Sequence, residues 1–295
     1  MIDIADRPDV APELRLVPYA FREAFGRSAE GVWYSPGVAV LATDAAVCGR
    51  WGAIVAGERR TDGIVELRSI NRPAEPVVLP AQDIPAWAAP VAAVVDLLRP
   101  CGATLLCSVD LPAGSGLSSR TALACATALA LRDLCAPDIP VDYLVDVVTQ
   151  SQTQLHSHVR VAAAFAGFEV GVAIGDARLL VVDTRIRRDT PVRSTDFAVR
   201  NDGSLKRLGM AITDFHRAHE PEAAQDIAVT AALEAGALGA TMLVDDPGRP
   251  IAALVSPDSL AAVRAGVSGA FRRERLTSPR YLTVRPSGGA RRITP

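Results

Sequence analysis

The order of apolar and polar positions divides the 295-residue chain into stretches with helical spacing and stretches with strand spacing. Pro12–Phe25 carries apolar residues at intervals of three and four, and 121–134 is mostly Ala and Leu without a helix breaker. The same spacing predicts further helices over 84–98, 141–150, 203–219, 222–235 and 256–275. Short β-branched runs between Gly, Pro and Asp predict strands over 31–42, 51–57, 64–70, 77–79, 103–109, 168–174, 178–183, 241–244, 251–255 and 281–284.

Gly- and Pro-containing dipeptides predict how these elements are connected. Pro36–Gly37 predicts a turn inside the run 31–42. Gly175–Asp176 predicts a hairpin that joins the strand before it to the strand after it, and the stretch 245–248 (DDPG) predicts another. Residues 185–200 are rich in Arg, Thr and Asp without any periodicity, so we expect a linker there.

One small-residue loop, 111–120 (LPAGSGLSSR), joins the predicted strand 103–109 to the Ala-rich helix. Gly114 and Gly116 can adopt positive φ and allow close approach of a backbone, and Ser118 and Ser119 can cap the helix. The N–H groups of such a loop and the positive end of the helix converge on one point, which favours an anion. The alternative is an ordinary strand–turn–helix connection, which is what a lone Gly-Ser-Gly usually forms.

The whole run resembles the second motif of the GHMP small-molecule kinases, in particular of their galactokinase branch, whose pattern is P-x-G-x-G-L-S-S-S-A-A-L. The matching residues are Pro112, Gly114, Gly116, Leu117, Ser118, Ser119, Ala122 and Leu123. The resemblance implies an anion- or nucleotide-binding loop that also includes Ser115 and Arg120. The family places at position 120 the serine that helps to hold Mg²⁺, so the resemblance supports ATP as a ligand and argues against Mg²⁺. Trp87 resembles the tryptophan beside the adenine in galactokinases, or else it is a core aromatic.

The first galactokinase motif, roughly P-G-R-V-N-L-I-G-E-H-T-D-Y, has a weaker counterpart at 36–48 (PGVAVLATDAAVC). Val38 stands where the family has an arginine near the transferred phosphate. Ala45 and Val47 replace the histidine and the aspartate that contact the sugar. Asp44 stands at the glutamate position and is the candidate substrate-binding residue, although an Asp in a turn commonly accepts hydrogen bonds from its own backbone.

Two further parts of the family pattern are missing from the sequence. The signature with the catalytic aspartate (G-I-M-D-Q) should follow the helix 141–150, where the chain instead carries SQTQLHSHVR. The two histidines of that stretch lack acidic or thiol neighbours for a metal and fit a solvated loop better. The third, Gly-rich motif should follow Met242. Asp245 and Asp246 stand there instead, and their charges would repel a triphosphate.

Composition is that of an ordinary soluble globular protein, with 49% hydrophobic and 22% charged residues. A net charge of −2 gives no electrostatic case for nucleic acid or for an anionic membrane as a partner. The five cysteines show no CxxC spacing, which favours buried reduced thiols over disulfides or a zinc site. The first ten residues lack a signal-peptide pattern, and no apolar run reaches the ~20 residues of a membrane span. We therefore expect a cytoplasmic protein.

The resemblance implies an α+β protein with the two-lobed GHMP-kinase-like fold. Its ribosomal-S5-like, nucleotide-binding-like N-terminal lobe would span 1–185, and its ferredoxin-like C-terminal lobe would span 186–295. It also implies a small-molecule ligand, which would be a nucleotide, a sugar or a phosphorylated metabolite, and it allows a protein partner or a homodimer.

Phosphoryl transfer needs positioned phosphates, neutralised charge and a group that orients the acceptor hydroxyl. Because five family features for these tasks are replaced, we assign no catalytic residue and predict a pseudokinase that binds a ligand or regulates. One alternative is a diverged enzyme that uses Arg120 on a phosphorylated or carboxylated small molecule. The other is an active ATP-dependent sugar kinase with relocated catalytic groups.

Overall fold

The computed structural model describes residues 12–112, 114–152, 156–186, 204–219, 222–243 and 248–293. The helices in these residues are α1 (Pro12–Phe25), α2 (Ala89–Leu98), α3 (Ser119–Cys135), α4 (Val141–Gln150), α5 (Ser157–Ala166), α6 (Leu205–Ala218), α7 (Ala223–Glu234) and α8 (Leu260–Arg273). The strands are β1 (Gly31–Ala42), β2 (Ala45–Arg59), β3 (Val65–Ser69), β4 (Val77–Leu79), β5 (Ala103–Val109), β6 (Glu169–Val170), β7 (Arg178–Asp183), β8 (Gly239–Met242), β9 (Ile251–Val255), β10 (Arg280–Val284) and β11 (Arg291–Arg292).

The described strands form two sheets. The first has seven strands in the order β11-β1-β2-β5-β3-β4, with β6 paired to β2 beside this path. The second has four strands in the order β10-β7-β9-β8. All pairs are antiparallel except β3 with β5. Each sheet therefore combines strands from distant parts of the sequence.

Helix α3 lies at the centre of the largest core. All eleven residues from Thr121 to Leu131 are buried, so this helix is covered on every side. Its many alanines let α2, α4, α5 and the strands β1 and β2 approach it closely. One polar contact orients it, because the Trp33 indole N–H donates to Asp133 at 2.7 Å. A second core lies between the four-stranded sheet and α7 and α8, and a smaller one lies under α1.

Helix α6 covers the outer edge of β8, the edge strand of the four-stranded sheet. The backbone N–H of Ala240 donates to Thr213 Oγ1 at 3.1 Å, and the N–H of Met242 donates to His216 Nδ1 at 3.3 Å. These bonds satisfy backbone N–H groups at the edge of the sheet, which could otherwise hydrogen-bond to a strand of another chain. His216 is buried, and this burial lowers its pKa below the ordinary value of 6.5.

We expect this histidine to make the protein less stable in mild acid. Since its pKa is lower in the folded state, the unfolded chain binds more protons, and the free energy of unfolding falls as the pH drops below about 6.5. The contribution is at most about 1.4 kcal/mol per pH unit. Urea unfolding between pH 7 and 5 should show that the free energy of unfolding falls less steeply with decreasing pH in His216→Asn than in wild type. The amide oxygen of the asparagine can still accept from the N–H of Met242. His158→Asn, at an exposed position, is the control, and equal slopes in wild type and His216→Asn would refute the expectation.

Several connections differ from those that the sequence predicts. The predicted turn at Pro36–Gly37 is wrong: β1 continues through it with a bulge, and the chain turns at residues 43 and 44 instead. The predicted Gly175–Asp176 hairpin is also wrong, because β6 pairs with β2 whereas β7 pairs with β9 and β10. The stretch with two histidines begins helix α5 and is not only a loop. Asp245, Asp246 and residues 187–200 lie outside the described residues.

The four-stranded and seven-stranded sheets exchange strands across the predicted lobe boundary. Strand β7 precedes residue 185 and lies inside the four-stranded sheet, whereas β11 follows residue 186 and pairs with β1. The division into 1–185 and 186–295 stays a prediction. In the described part of the chain, no helix combines the length and the apolar character that crossing a bilayer requires.

Candidate functional site

The loop predicted to bind an anion connects β5 to α3 and has the backbone conformation that its residues favour. Gly114 has φ of 74° and Gly116 has φ of 76°, and the non-glycine Ser118 also lies in the left-handed region at 52°. Ser115 and Leu117 are buried, whereas Ser119 is half-buried and Arg120 is exposed. The loop thus reaches the surface where α3 begins.

The expectation that Ser118 or Ser119 caps α3 is wrong. Ser118 precedes the helix, but its hydroxyl donates to the Val38 carbonyl at 2.9 Å and makes no capping bond to α3. The N–H of Val38 in turn donates to the Leu117 carbonyl at 3.0 Å. These two bonds fix the loop to β1. They leave the N–H groups of residues 119–121, which precede the first intrahelical donor, without a side-chain acceptor at the positive end of α3.

A distant segment packs on the glycine side of the loop. A Cβ atom at Gly116 would overlap the side chains of Leu243 and Pro250, and one at Gly248 would overlap the backbone of Gly114. The buried Thr184 hydroxyl holds this segment, because it lies 3.4 Å from the Gly248 carbonyl oxygen and 3.2 Å from that of Arg249. These residues were not predicted from the sequence, since no local pattern connects positions 114 and 248.

Arg120 and Trp87 lie next to each other in the structure. The Arg120 guanidinium donates through Nη1 to the Ala86 carbonyl at 3.3 Å, directly before Trp87. The Trp87 ring is half-buried against the main core, and its Nε1 is buried without a hydrogen-bond acceptor. Both interpretations of this tryptophan therefore stay open. The arrangement places one cation and one indole beside the beginning of α3.

The predicted first motif meets the loop near its beginning, where the backbone of Val38 bonds to Leu117 and Ser118, and then runs away from the loop along β1. Val38, Ala45 and Val47 are fully buried apolar side chains. Asp44 is exposed in the turn between β1 and β2, up to about 20 Å along β1 from Val38. The backbone of Gly171 packs directly against its carbonyl. The structure thus brings Trp87 and Arg120 to the loop but leaves Asp44 apart from it.

A further contact beside the loop was not predicted. Thr121, in the first turn of α3, lies with its hydroxyl 3.5 Å from Gln152 Oε1. The residues that follow Gln152, 153–155, lie outside the described residues. Within the described ranges there is no group of three or more His, Cys, Asp or Glu side chains placed to hold a metal ion.

Comparison with known proteins accounts for this geometry. Residues 88–168, which include the loop and α3, match the model of the GHMP kinases N-terminal domain. Over 92% of its length the chain is 27% identical to a galactokinase from Streptomyces coelicolor, of which the match covers 97%. These matches support membership of this chain in the galactokinase branch of the GHMP kinases.

Solved GHMP kinases share the fold of this galactokinase-like protein. The Lactococcus lactis galactokinase complexed with galactose superposes with a TM-score of 0.74 at 18% identity, covering 95% of this chain and 99% of that one. A homoserine kinase from Cytophaga hutchinsonii superposes with a TM-score of 0.62 at 14% identity, covering 89% of this chain and 97% of that one. The mevalonate kinase of Methanococcus jannaschii superposes with a TM-score of 0.62 at 10% identity, covering 87% of this chain and 98% of that one. The predicted two-lobed α+β GHMP-kinase-like fold is confirmed.

Proposed function

We propose that this galactokinase-like protein binds a nucleotide or another phosphorylated small molecule at the loop 114–120 without transferring phosphate to a sugar. The observation that carries the proposal is the start of α3. The side chain that would cap this helix donates to the Val38 carbonyl instead, so the first N–H groups of α3 can receive an anion. The protein would then act as a ligand-binding or regulatory pseudokinase.

The residues of the loop fit a phosphate group. Gly114 and Gly116 allow the tight turn that leads into α3, and α3 adds the favourable field of its N-terminus. Trp87 lies beside the beginning of α3, and its position resembles that of the tryptophan next to the adenine in galactokinases. ATP is the first candidate ligand because the GHMP kinases use it.

The same positions do not fit phosphoryl transfer. Transfer needs a metal ion and cationic side chains to neutralise the charge that develops on the phosphate. Position 38, where galactokinases have their arginine, is a fully buried valine, and position 120 carries a cation in place of the serine that helps to hold Mg²⁺. Helix α5, after the place of the missing aspartate signature, contains no carboxylate.

A thermal-shift titration tests the proposal, because a ligand that binds only the folded state stabilises it by mass action. ATP or ADP at a hundred times its dissociation constant should add about 2.7 kcal/mol of stability. Ser119→Asp should weaken binding roughly tenfold or more by placing a carboxylate in the first turn of α3, although it suits the helix dipole itself. No ATP should be consumed when galactose is added. Consumption of ATP that depends on galactose would refute the pseudokinase and establish the active kinase.

A second candidate function rests on the exposed guanidinium of Arg120. An arginine beside a helix start can bind a phosphate or a carboxylate through two parallel hydrogen bonds, and it would supply the positive charge that Mg²⁺ brings elsewhere. This diverged enzyme would bind its ligand equally well with and without Mg²⁺. Arg120→Ser should then abolish binding, whereas in a lapsed kinase the same change should make nucleotide binding dependent on Mg²⁺.

A further inference from the structure

A second concave surface carries positive charge and lies outside the loop site. It is a groove of about 470 Å³ between β2 of the first sheet and β10 and α8 of the second. Three arginines line it, Arg50, Arg264 and Arg285, together with the aromatic rings of Trp51 and Tyr281. We call this surface the arginine groove.

Within the described residues, no acidic side chain lines the arginine groove. Among the described residues none of its three arginines forms an ion pair with a carboxylate. Arg50 also borders a neighbouring pocket that contains Glu13 and Asp110, but no carboxylate there lies within 4 Å of it. Three cations without an ion pair within 4 Å, in a protein with a net charge of −2, form a local field that attracts anions.

Two of the three arginines are held in place by aromatic rings. The Arg50 guanidinium lies over the Trp51 ring at 4.9 Å, and that of Arg264 lies over the Tyr281 ring at 5.4 Å. Arg264 also donates through Nη2 to Thr283 Oγ1 at 3.4 Å, while its Nε is buried without an acceptor. Stacking fixes the plane of a guanidinium and leaves its edge N–H groups to point at a ligand.

The four-stranded sheet separates the arginine groove from the loop site. The groove lies on β10, one edge of that sheet, whereas the loop contacts residues that flank β8 and β9. Strands β10 and β8 are three strand spacings apart, which is about 14 Å. The loop and the groove share no lining residue, so substitutions can alter each of them separately.

We propose that the arginine groove is a second ligand site, which binds a small molecule with several phosphate charges. Guanidinium groups approach the groove from β2, from α8 and from the end of β10, so they surround a ligand from several sides. The tetrahedral oxygens of a phosphate can meet donors in such an arrangement, whereas a planar carboxylate is satisfied by one guanidinium fork. The bound anion would also link the two sheets, because Arg50 belongs to one and Arg285 follows the last strand of the other.

Tryptophan fluorescence can report on this site directly, with inorganic pyrophosphate as the probe. Trp51 lies in the groove, Trp87 lies beside the loop, and Trp33 is fully buried. In Trp87→Phe protein, pyrophosphate should change the emission, because an anion that binds Arg50 disturbs its contact with Trp51. The change should be absent when Trp51 is also replaced by Phe, although calorimetry should still detect pyrophosphate binding.

Matched arginine variants decide the result. Arg285→Gln, at an exposed position, and Arg264→Gln should each weaken pyrophosphate binding roughly tenfold or more. Arg273→Gln removes the same charge from an exposed position of α8 outside the groove and should leave binding within about twofold. Equal weakening by all three variants, or no emission change at millimolar pyrophosphate, would overturn the proposal.

The loop variant Ser119→Asp separates this proposal from the proposed function. This variant should leave the pyrophosphate-dependent change of Trp51 emission intact. A loss of that change would place the pyrophosphate at the loop and overturn the proposed groove site. Conversely, if nucleotides fail to stabilise the protein while pyrophosphate still changes the Trp51 emission, only the loop site is refuted.

Discussion

Gly209→Ala is expected to destabilise the protein by about 2–4 kcal/mol, although alanine is the better helix former. A Cβ at this position of α6 would overlap the backbone carbonyl of Leu238, and one at Gly239 would overlap the backbone of Gly209. The helix and β8 thus touch through two facing glycines. Moving them apart would also stretch the bonds from Ala240 to Thr213 and from Met242 to His216. Urea unfolding at pH 7 measures the effect.

The matched control is the same substitution in another helix. A Cβ at Gly269 of α8 would meet only the ends of two arginine side chains, at 3.6 and 3.9 Å. Gly269→Ala should therefore stabilise the protein by about 0.5–1 kcal/mol, through the helix propensity of alanine alone. The two variants should therefore change the free energy of unfolding in opposite directions. If Gly209→Ala also stabilises the protein, helix α6 does not rest on β8 in the way described.

Gly248→Ala is expected to abolish ligand binding at the loop and to destabilise the fold by about 1–3 kcal/mol. The new Cβ would press on the backbone of Gly114, which has no side chain to move aside. Either the loop shifts away from its hydrogen bonds with Val38 or the segment around Gly248 leaves the buried Thr184 hydroxyl. In both cases the N–H groups at the start of α3 lose their alignment.

Thermal-shift titration with ATP measures this second effect, with Gly269→Ala again as the variant that should bind normally. Thr184→Val gives an independent check, since it removes the hydroxyl that holds the segment but adds no bulk near the loop. It should weaken binding less than Gly248→Ala does. Normal ATP binding by Gly248→Ala would show that the segment 248–250 does not position the loop.

Helices were the most predictable part of the fold. The bounds of α1 and α4 follow from sequence alone, because an amphipathic face and terminal prolines are local signals. The strand partners were not predictable. Pro36 fits inside β1 because a bulge accommodates it, and β7 pairs with β9 and β10 because contacts across the whole chain outweigh the adjacent Gly175–Asp176.

The candidate site shows the same division between local and distant information. The positive φ angles of Gly114 and Gly116 follow from the residue type, so this part of the loop's conformation was predictable from the sequence. The role of Ser118 did not follow, because the carbonyl that its hydroxyl binds lies eighty residues earlier in the chain. The segment at 248–250 covers the loop through backbone contact, and no residue type in the sequence signals such contact.

The short strand β11 has a consequence for synthesis of the protein. It pairs Arg291 and Arg292 with Tyr34 and Trp33 of β1, so the outer edge of β1 has no partner there until residue 292 has been translated. A nascent chain on the ribosome therefore exposes that edge while the other described strands of both sheets are already made. An open strand edge pairs readily with other chains. We expect chaperone dependence to rise sharply in truncations that end before residue 291.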